Sequence, residues 1–185
     1  DPLFAFFVFG AIACLWVACE RRSGGLLALS VVALTCAFMT KALTAYAFYG
    51  AAALVLLVHR EHRSFLLSPA SWVAHLAGAV LPIMWLTVLS DNTGQGVRMF
   101  AEIVAKLAPT SLADYALKLV AYPLDTAVRL APVLVIAGYY AWRNRVAASL
   151  DPQGCTALWI AFLGYLPYWL APQSAARYLM PLYPL

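Results

Sequence analysis

Long apolar runs separated by short polar clusters dominate this chain. The first runs from Leu3 to Ala18 and is closed by Glu20-Arg21-Arg22-Ser23-Gly24-Gly25. The second starts at Leu26 and reaches Met39, where Thr40-Lys41 interrupts it; the third goes from Ala42 to Val58 and meets His59-Arg60-Glu61-His62-Arg63. The fourth, Trp72 to Leu89, contains Pro82 and ends at Ser90-Asp91-Asn92-Thr93-Gly94. A fifth lies between about Thr126 and Trp142, a sixth covers Cys155 to Ala171, and a stub from Tyr178 to Leu185 opens a seventh. The runs are rich in Ala and Leu and lack the alternation of an outer-membrane barrel strand. Helices are the other way to satisfy backbone polar groups in lipid. The expected fold is an all-α integral membrane bundle of about six spans plus the start of a seventh, at about 20 residues per crossing.

Composition makes the membrane reading firm. Of 185 residues, 64% are hydrophobic and only 11% charged, whereas soluble domains carry about 45–50% apolar and about 25% charged residues. A water-soluble globule and a disordered chain are both excluded. The net charge of +4 does not argue for nucleic acid. Cys14, Cys19, Cys36 and Cys155 lie scattered in apolar runs without CxxC spacing and read as buried thiols. The chain opens at Asp1-Pro2 without an initiator Met and stops at Leu185 inside an apolar run, so residues 1–185 are expected to be a single transmembrane domain excerpted from a longer chain.

Alternating the sides sorts the charges. The segments Glu20–Gly25, His59–Ser71 and Arg143–Gly154 share one face and carry Arg21, Arg22, Arg60, Arg63, Arg143 and Arg145 in tight clusters. Lys41, Arg98, Lys106, Lys118, Arg129 and Arg177 fall on the other. Clustered basic residues at span ends mark the cytoplasmic side. The segment 91–125 then lies on the outer face. Val97, Phe100, Ile103, Val104 and Leu107 repeat with helical spacing, and Leu112, Tyr115, Ala116 and Leu119 do so again after Pro109-Thr110-Ser111. These read as interfacial amphipathic helices, which either cap the bundle or gate a substrate.

Three stretches together resemble a known family. Asp1-Pro2-Leu3-Phe4-Ala5-Phe6-Phe7, Ala37-Phe38-Met39-Thr40-Lys41-Ala42 and Arg177-Tyr178-Leu179-Met180-Pro181-Leu182-Tyr183-Pro184 are similar to the span-end motifs of dolichyl-phosphate-mannose-protein mannosyltransferase-like membrane glycosyltransferases, which include the aminoarabinose transferases. Ala42 stands where that family usually has Gly. The resemblance implies a GT-C-like bundle in the bacterial inner membrane. It implies transfer of a sugar from a polyprenyl-phosphate donor to a lipid, glycan or protein acceptor on the outer face. The family's acidic motif would precede Asp1, so the chain as given is expected to be incomplete as a catalyst. No cofactor follows from the residues, and a divalent metal is left open for the full-length protein.

Independently of that likeness, Asp1, Lys41 and Arg177 each end a span on the outer face. Polar groups at membrane depth pair with one another or face a cavity. Arg suits a bidentate phosphate contact and Lys a point-charge contact. Lys41, Arg177 and the adjacent Tyr178 are therefore the candidate phosphate-binding residues, and Asp1 is the candidate catalytic carboxylate. Against this stand a snorkelling role for Lys41 and an interfacial anchoring role for Arg177 and Tyr178. The His59–His62 pair falls among basic residues and reads as a solvated loop rather than a metal site, and His75 as a satisfied core or interface histidine. A transporter is the alternative class, weakened because the charges gather at span ends rather than at the midplane.

Overall fold

A computed structural model describes residues 2–41, 43–89, 98, 101, 104–105, 111–144 and 151–173. Among these the protein is all-helical. Its helices are α1 (Pro2–Arg21), α2 (Gly24–Lys41), α3 (Thr44–Val58), α4 (Arg60–Leu66), α5 (Pro69–Met84, continued by a π-helical turn Trp85–Leu89), α6 (Leu112–Asn144) and α7 (Pro152–Leu170). Four helices are long and apolar enough to cross a membrane: α1, α2, α5 with its continuation to Val88, and α6 from Leu112 to Tyr140. Helix α3 is apolar but has 15 residues, and α7 is not among the four.

The centre of the bundle is α1 against α2, with α3 behind both. Phe4, Val8, Ala11, Ile12, Leu15 and Ala18 form one stripe of α1 and are essentially inaccessible. They meet Leu27, Leu34 and Ala37 of α2, Phe48, Ala52 and Leu56 of α3, and Ile160 of α7 in one core. The many alanines let the helix backbones approach closely, which is how helices associate where lipid tails are as apolar as Leu. Helices α5 and α6 are peripheral: 11% of each apolar window is buried, against 39% in α1 and 33% in α2. Their exposed Val, Leu and Ile side chains suit a lipid surface.

The turns are built locally. After α1, Arg22 takes a left-handed backbone (φ 47°), and the Ser23 N–H returns to the Ala18 carbonyl at 3.0 Å. Ser23 then caps α2 by accepting the Leu26 N–H at 3.4 Å. Ser68 caps α5 and Asp151 caps α7, each followed by proline at the first helical position, where the missing N–H costs nothing.

One close crossing sets the place of α5. A Cβ on Gly78 would stand 2.0 Å from Val31 Cγ1, so only glycine admits α2 this near. Pro82 has no N–H to give the Gly78 carbonyl four residues back. The Thr35 hydroxyl of α2 lies 3.3 Å from that carbonyl and shares its one proton between it and the nearer Val31 carbonyl at 3.0 Å.

Two sequence expectations change. The fifth apolar run, expected from about Thr126, belongs to a helix that starts earlier: α6 is one helix of 33 residues through Pro123 and Pro132, about 50 Å long at 1.5 Å per residue. Asp125 and Arg129 pair at 3.0 Å along it, so the charges that suggested a boundary neutralise each other within the helix. The segment His59–Ser71 contains the short helix α4 rather than only loop. Most of the expected interfacial stretch 91–110, and the stub 178–185, lie outside the described residues.

Candidate functional site

The bundle has two chemically distinct ends. At one, the α1 C-terminus, the α3 C-terminus and the α7 N-terminus meet: Gln153 Nε2 donates to Glu20 Oε1 at 3.3 Å, and His59 Nε2 lies 3.3 Å from Thr156 Oγ1. At the other, the α2 C-terminus meets the α1 N-terminus and the α7 C-terminus reaches α3, with the Tyr168 hydroxyl donating to the Thr44 carbonyl at 3.4 Å. The basic clusters at Arg21–Arg22 and Arg60–Arg63 belong to the first end, and Lys41 and Lys118 to the second.

Lys41 is half-buried in the last turn of α2. Its Nζ stands 5.4 Å from the centre of the Phe4 ring, and the preceding Thr40 folds its hydroxyl back onto the Ala37 carbonyl at 2.7 Å. Beside it opens a cavity of about 220 Å³ lined by Phe38, Met39, Thr40, Lys41 and Trp85. Trp85 packs edge-on to Phe38 with ring centres 5.9 Å apart. It is the first residue of the π-helical turn, three residues beyond Pro82. Such turns arise where the helical ladder is interrupted and are frequent at functional sites. A cation, a hydroxyl and an indole edge thus converge on a space sized for a headgroup rather than for a whole drug-like ligand. Trp85 was not singled out in the sequence; Pro82 was the available signal that the helix alters there.

Of the other candidates, Asp1, Arg177 and Tyr178 lie outside the described residues. Lys118, which the sequence left as one of several outer charges, has a defined task. Its ammonium donates to the carbonyls of Tyr168 (3.0 Å), Trp169 and Ala171 at the end of α7 and stands 4.7 Å from the Tyr122 ring centre. Helix C-termini leave carbonyls unpaired and favour a cation, and here a neighbouring helix supplies it. The Trp169 indole N–H donates to the Leu119 carbonyl at 2.8 Å and the Tyr115 hydroxyl to the Leu170 carbonyl at 3.0 Å. This clamp holds the end of α7, a few residues before Arg177.

A buried polar knot ties four helices. Ser30 (α2) donates to the Ala11 carbonyl (α1) at 2.7 Å and lies 3.1 Å from the Tyr49 hydroxyl (α3). Tyr49 lies 3.0 Å from His75 Nε2 (α5). His75 Nδ1 is 2.8 Å from the Ser71 carbonyl. A carbonyl only accepts, so Nδ1 carries a proton toward Ser71, and Nε2 shares its hydrogen bond with the Tyr49 hydroxyl. His75 is a satisfied packing histidine.

At the first end a larger cavity, about 820 Å³, is lined by Trp16, Glu20, Arg22, His59, Glu61, His62 and Asp151 among others. The His59 and His62 rings stand 6.1 Å apart. Among the described residues no three His, Cys, Asp or Glu side chains gather as a metal-binding group.

Among the described residues the protein is all-helical, with four helices long and apolar enough to cross a membrane. Compared with protein-family models, curated proteins and solved structures, the chain matches none.

Proposed function

We propose that this chain is the membrane domain of a GT-C-like glycosyltransferase of about six spans and the start of a seventh, in the bacterial inner membrane. It transfers a sugar from a polyprenyl-phosphate donor to a lipid, glycan or protein acceptor on the outer face. The observation that carries the reading is Lys41 at the edge of a headgroup-sized cavity, beside the π-helical turn at Trp85. In this reaction the acceptor's nucleophile attacks the anomeric carbon, and the bond to the polyprenyl phosphate breaks. The leaving phosphate then carries the developing negative charge. An ammonium already in place stabilises that charge more than it stabilises the intact donor, which is the condition for catalysis. Arg177 and Tyr178 would complete the phosphate contact, and Asp1 would act on the acceptor side.

The test uses the full-length protein in proteoliposomes supplied with a polyprenyl-phosphate sugar. Lys41→Ala should lower transfer by about 10²-fold, the scale of removing one charge-stabilising donor, with insertion and folding unchanged. Lys41→Arg should retain part of the activity. Unaltered transfer by Lys41→Ala overturns the assignment.

One observation favours a transporter as the second reading. Helix α5 is interrupted by Pro82 and the π-helical turn, and transporters place substrates where helices break. Saturable uptake of a solute by the same proteoliposomes, without donor lipid, would select it.

A further inference from the structure

The end of the bundle opposite Lys41 separates its charges by direction. Glu20, Glu61 and Asp151 line the large cavity there. Glu20 accepts the Trp16 indole N–H at 3.0 Å, and Asp151 accepts the Gly154 N–H at 2.8 Å. The arginines of α4 do not join them. Arg60 and Arg63 are exposed, and among the described residues neither has an ion-pair or hydrogen-bond partner.

The spacing along α4 explains the division. Its seven residues are too few for a stable isolated helix, and it is held by packing on α1, α3 and α5. His62 and Phe65 are half-buried and Leu66 is buried; three and four residues apart, they share one side of the helix. Arg60, Arg63 and Ser64 share the opposite side by the same spacing, and all three are exposed. The Leu67 N–H returns to the Arg63 carbonyl at 3.0 Å, so Leu67 continues that side for another turn, 47% exposed. Val58, at the end of α3, is 81% exposed, and Trp72, in the first turn of α5, is 58% exposed.

Unpaired guanidiniums beside uncovered apolar side chains match a boundary with headgroups on one side and hydrocarbon on the other. The depth agrees. Helix α1 stops at Arg21 and α5 starts at Pro69, and both are long and apolar enough to cross a membrane. Helix α4 lies at the level of these two ends. Arg21 and Arg22, in the turn after α1, are exposed as well and add to the positive potential.

We propose that the exposed side of α4 is a docking site for anionic phospholipid headgroups. Arg60 and Arg63 take the phosphodiester, and Val58, Leu67 and Trp72 rest against the acyl chains. Guanidinium forks match phosphate oxygens, and each basic group near an anionic surface contributes about a fivefold preference. A zwitterionic headgroup offers the same phosphate but brings its own cation, which two guanidiniums oppose. The site is separate from Lys41 and independent of the reaction assigned there.

The test uses the full-length protein in phosphatidylcholine proteoliposomes. Trace photoactivatable phosphatidylglycerol or phosphatidylcholine, each with its diazirine near the headgroup, is added and irradiated. Peptides spanning residues 58–72 should take up phosphatidylglycerol about 25-fold more than phosphatidylcholine at low salt, and less so at high salt. Arg60→Gln with Arg63→Gln should bring the two lipids to parity. Arg60→Lys with Arg63→Lys should keep most of the preference, and Glu61→Gln, on the cavity side, should leave it unchanged. Equal labelling by the two lipids in the unaltered protein overturns the site, as does a preference that survives the double glutamine variant. Loss of the preference on adding inorganic phosphate at constant ionic strength also overturns it, by assigning the arginines to a free anion.

Discussion

Replacing Gly78 by alanine sets two effects of known sign against each other. In a helix interior alanine is favoured over glycine by about 1 kcal/mol. At this crossing the new Cβ would lie 2.0 Å from Val31 Cγ1 and 3.5 Å from Val31 Cβ. Val31 is 6% exposed and, being β-branched, holds one favoured rotamer in a helix. Its methyl cannot swing clear cheaply, so α2 and α5 must separate. Overpacking of this kind costs about 1–3 kcal/mol. Separation also strains the Thr35 bond to the Gly78 carbonyl, 3.3 Å long already, and that carbonyl has no Pro82 N–H to fall back on. The steric term wins, with a net loss of about 1–2 kcal/mol. Unfolding in mixed micelles would measure it, together with Val31→Ala and the double variant. The Val31→Ala background should remove the clash and let the helix-propensity gain of about 1 kcal/mol show, so the cycle should give a coupling of about 2–3 kcal/mol. A Gly78→Ala protein that is more stable, with no coupling to Val31, would refute the close crossing.

Two further variants probe the polar contacts. Tyr49→Phe removes the hydroxyl between Ser30 and His75 and leaves His75 Nε2 without that partner, which should cost about 1–3 kcal/mol in the same unfolding assay. An unchanged midpoint would show that the knot does not hold the helices. Lys118→Met strips the ammonium from three carbonyls of α7. It should speed amide exchange at the end of that helix by about tenfold, since a bond to a charged group is worth about 1.5–3 kcal/mol, and leave exchange at the α7 N-terminus unaltered. Uniform acceleration along α7 would argue against a local cap.

The sequence showed the apolar helices α1, α2, α3 and α5 because their runs end at visible charges such as Glu20, Lys41 and His59. It also put Lys41 at the opposite end from the basic clusters, which is where the bundle has it. It began the fifth run at about Thr126, after Asp125, whereas α6 starts at Leu112 and pairs Asp125 with Arg129 one turn on within the helix. The role of Lys118 was hidden for a different reason: its partners are carbonyls of α7, some fifty positions later in the chain. Backbone acceptors leave no trace in residue identity. Trp85 and Gly78 acquire meaning only from what crosses them, Phe38 and Val31 on α2. Pro82 was legible as an interruption, but not that the Thr35 hydroxyl would reach the carbonyl it frees.

The claim at the centre of this account is that Lys41 and its neighbours receive a lipid phosphate. A photoactivatable polyprenyl phosphate, added to the full-length protein in proteoliposomes and irradiated, addresses it without relying on turnover. The account predicts labelled peptides containing Phe38–Lys41 and Trp85, competed by unmodified polyprenyl phosphate and lost in Lys41→Ala. Labelling confined to the exposed faces of α5 and α6, and equal in Lys41→Ala, would contradict it.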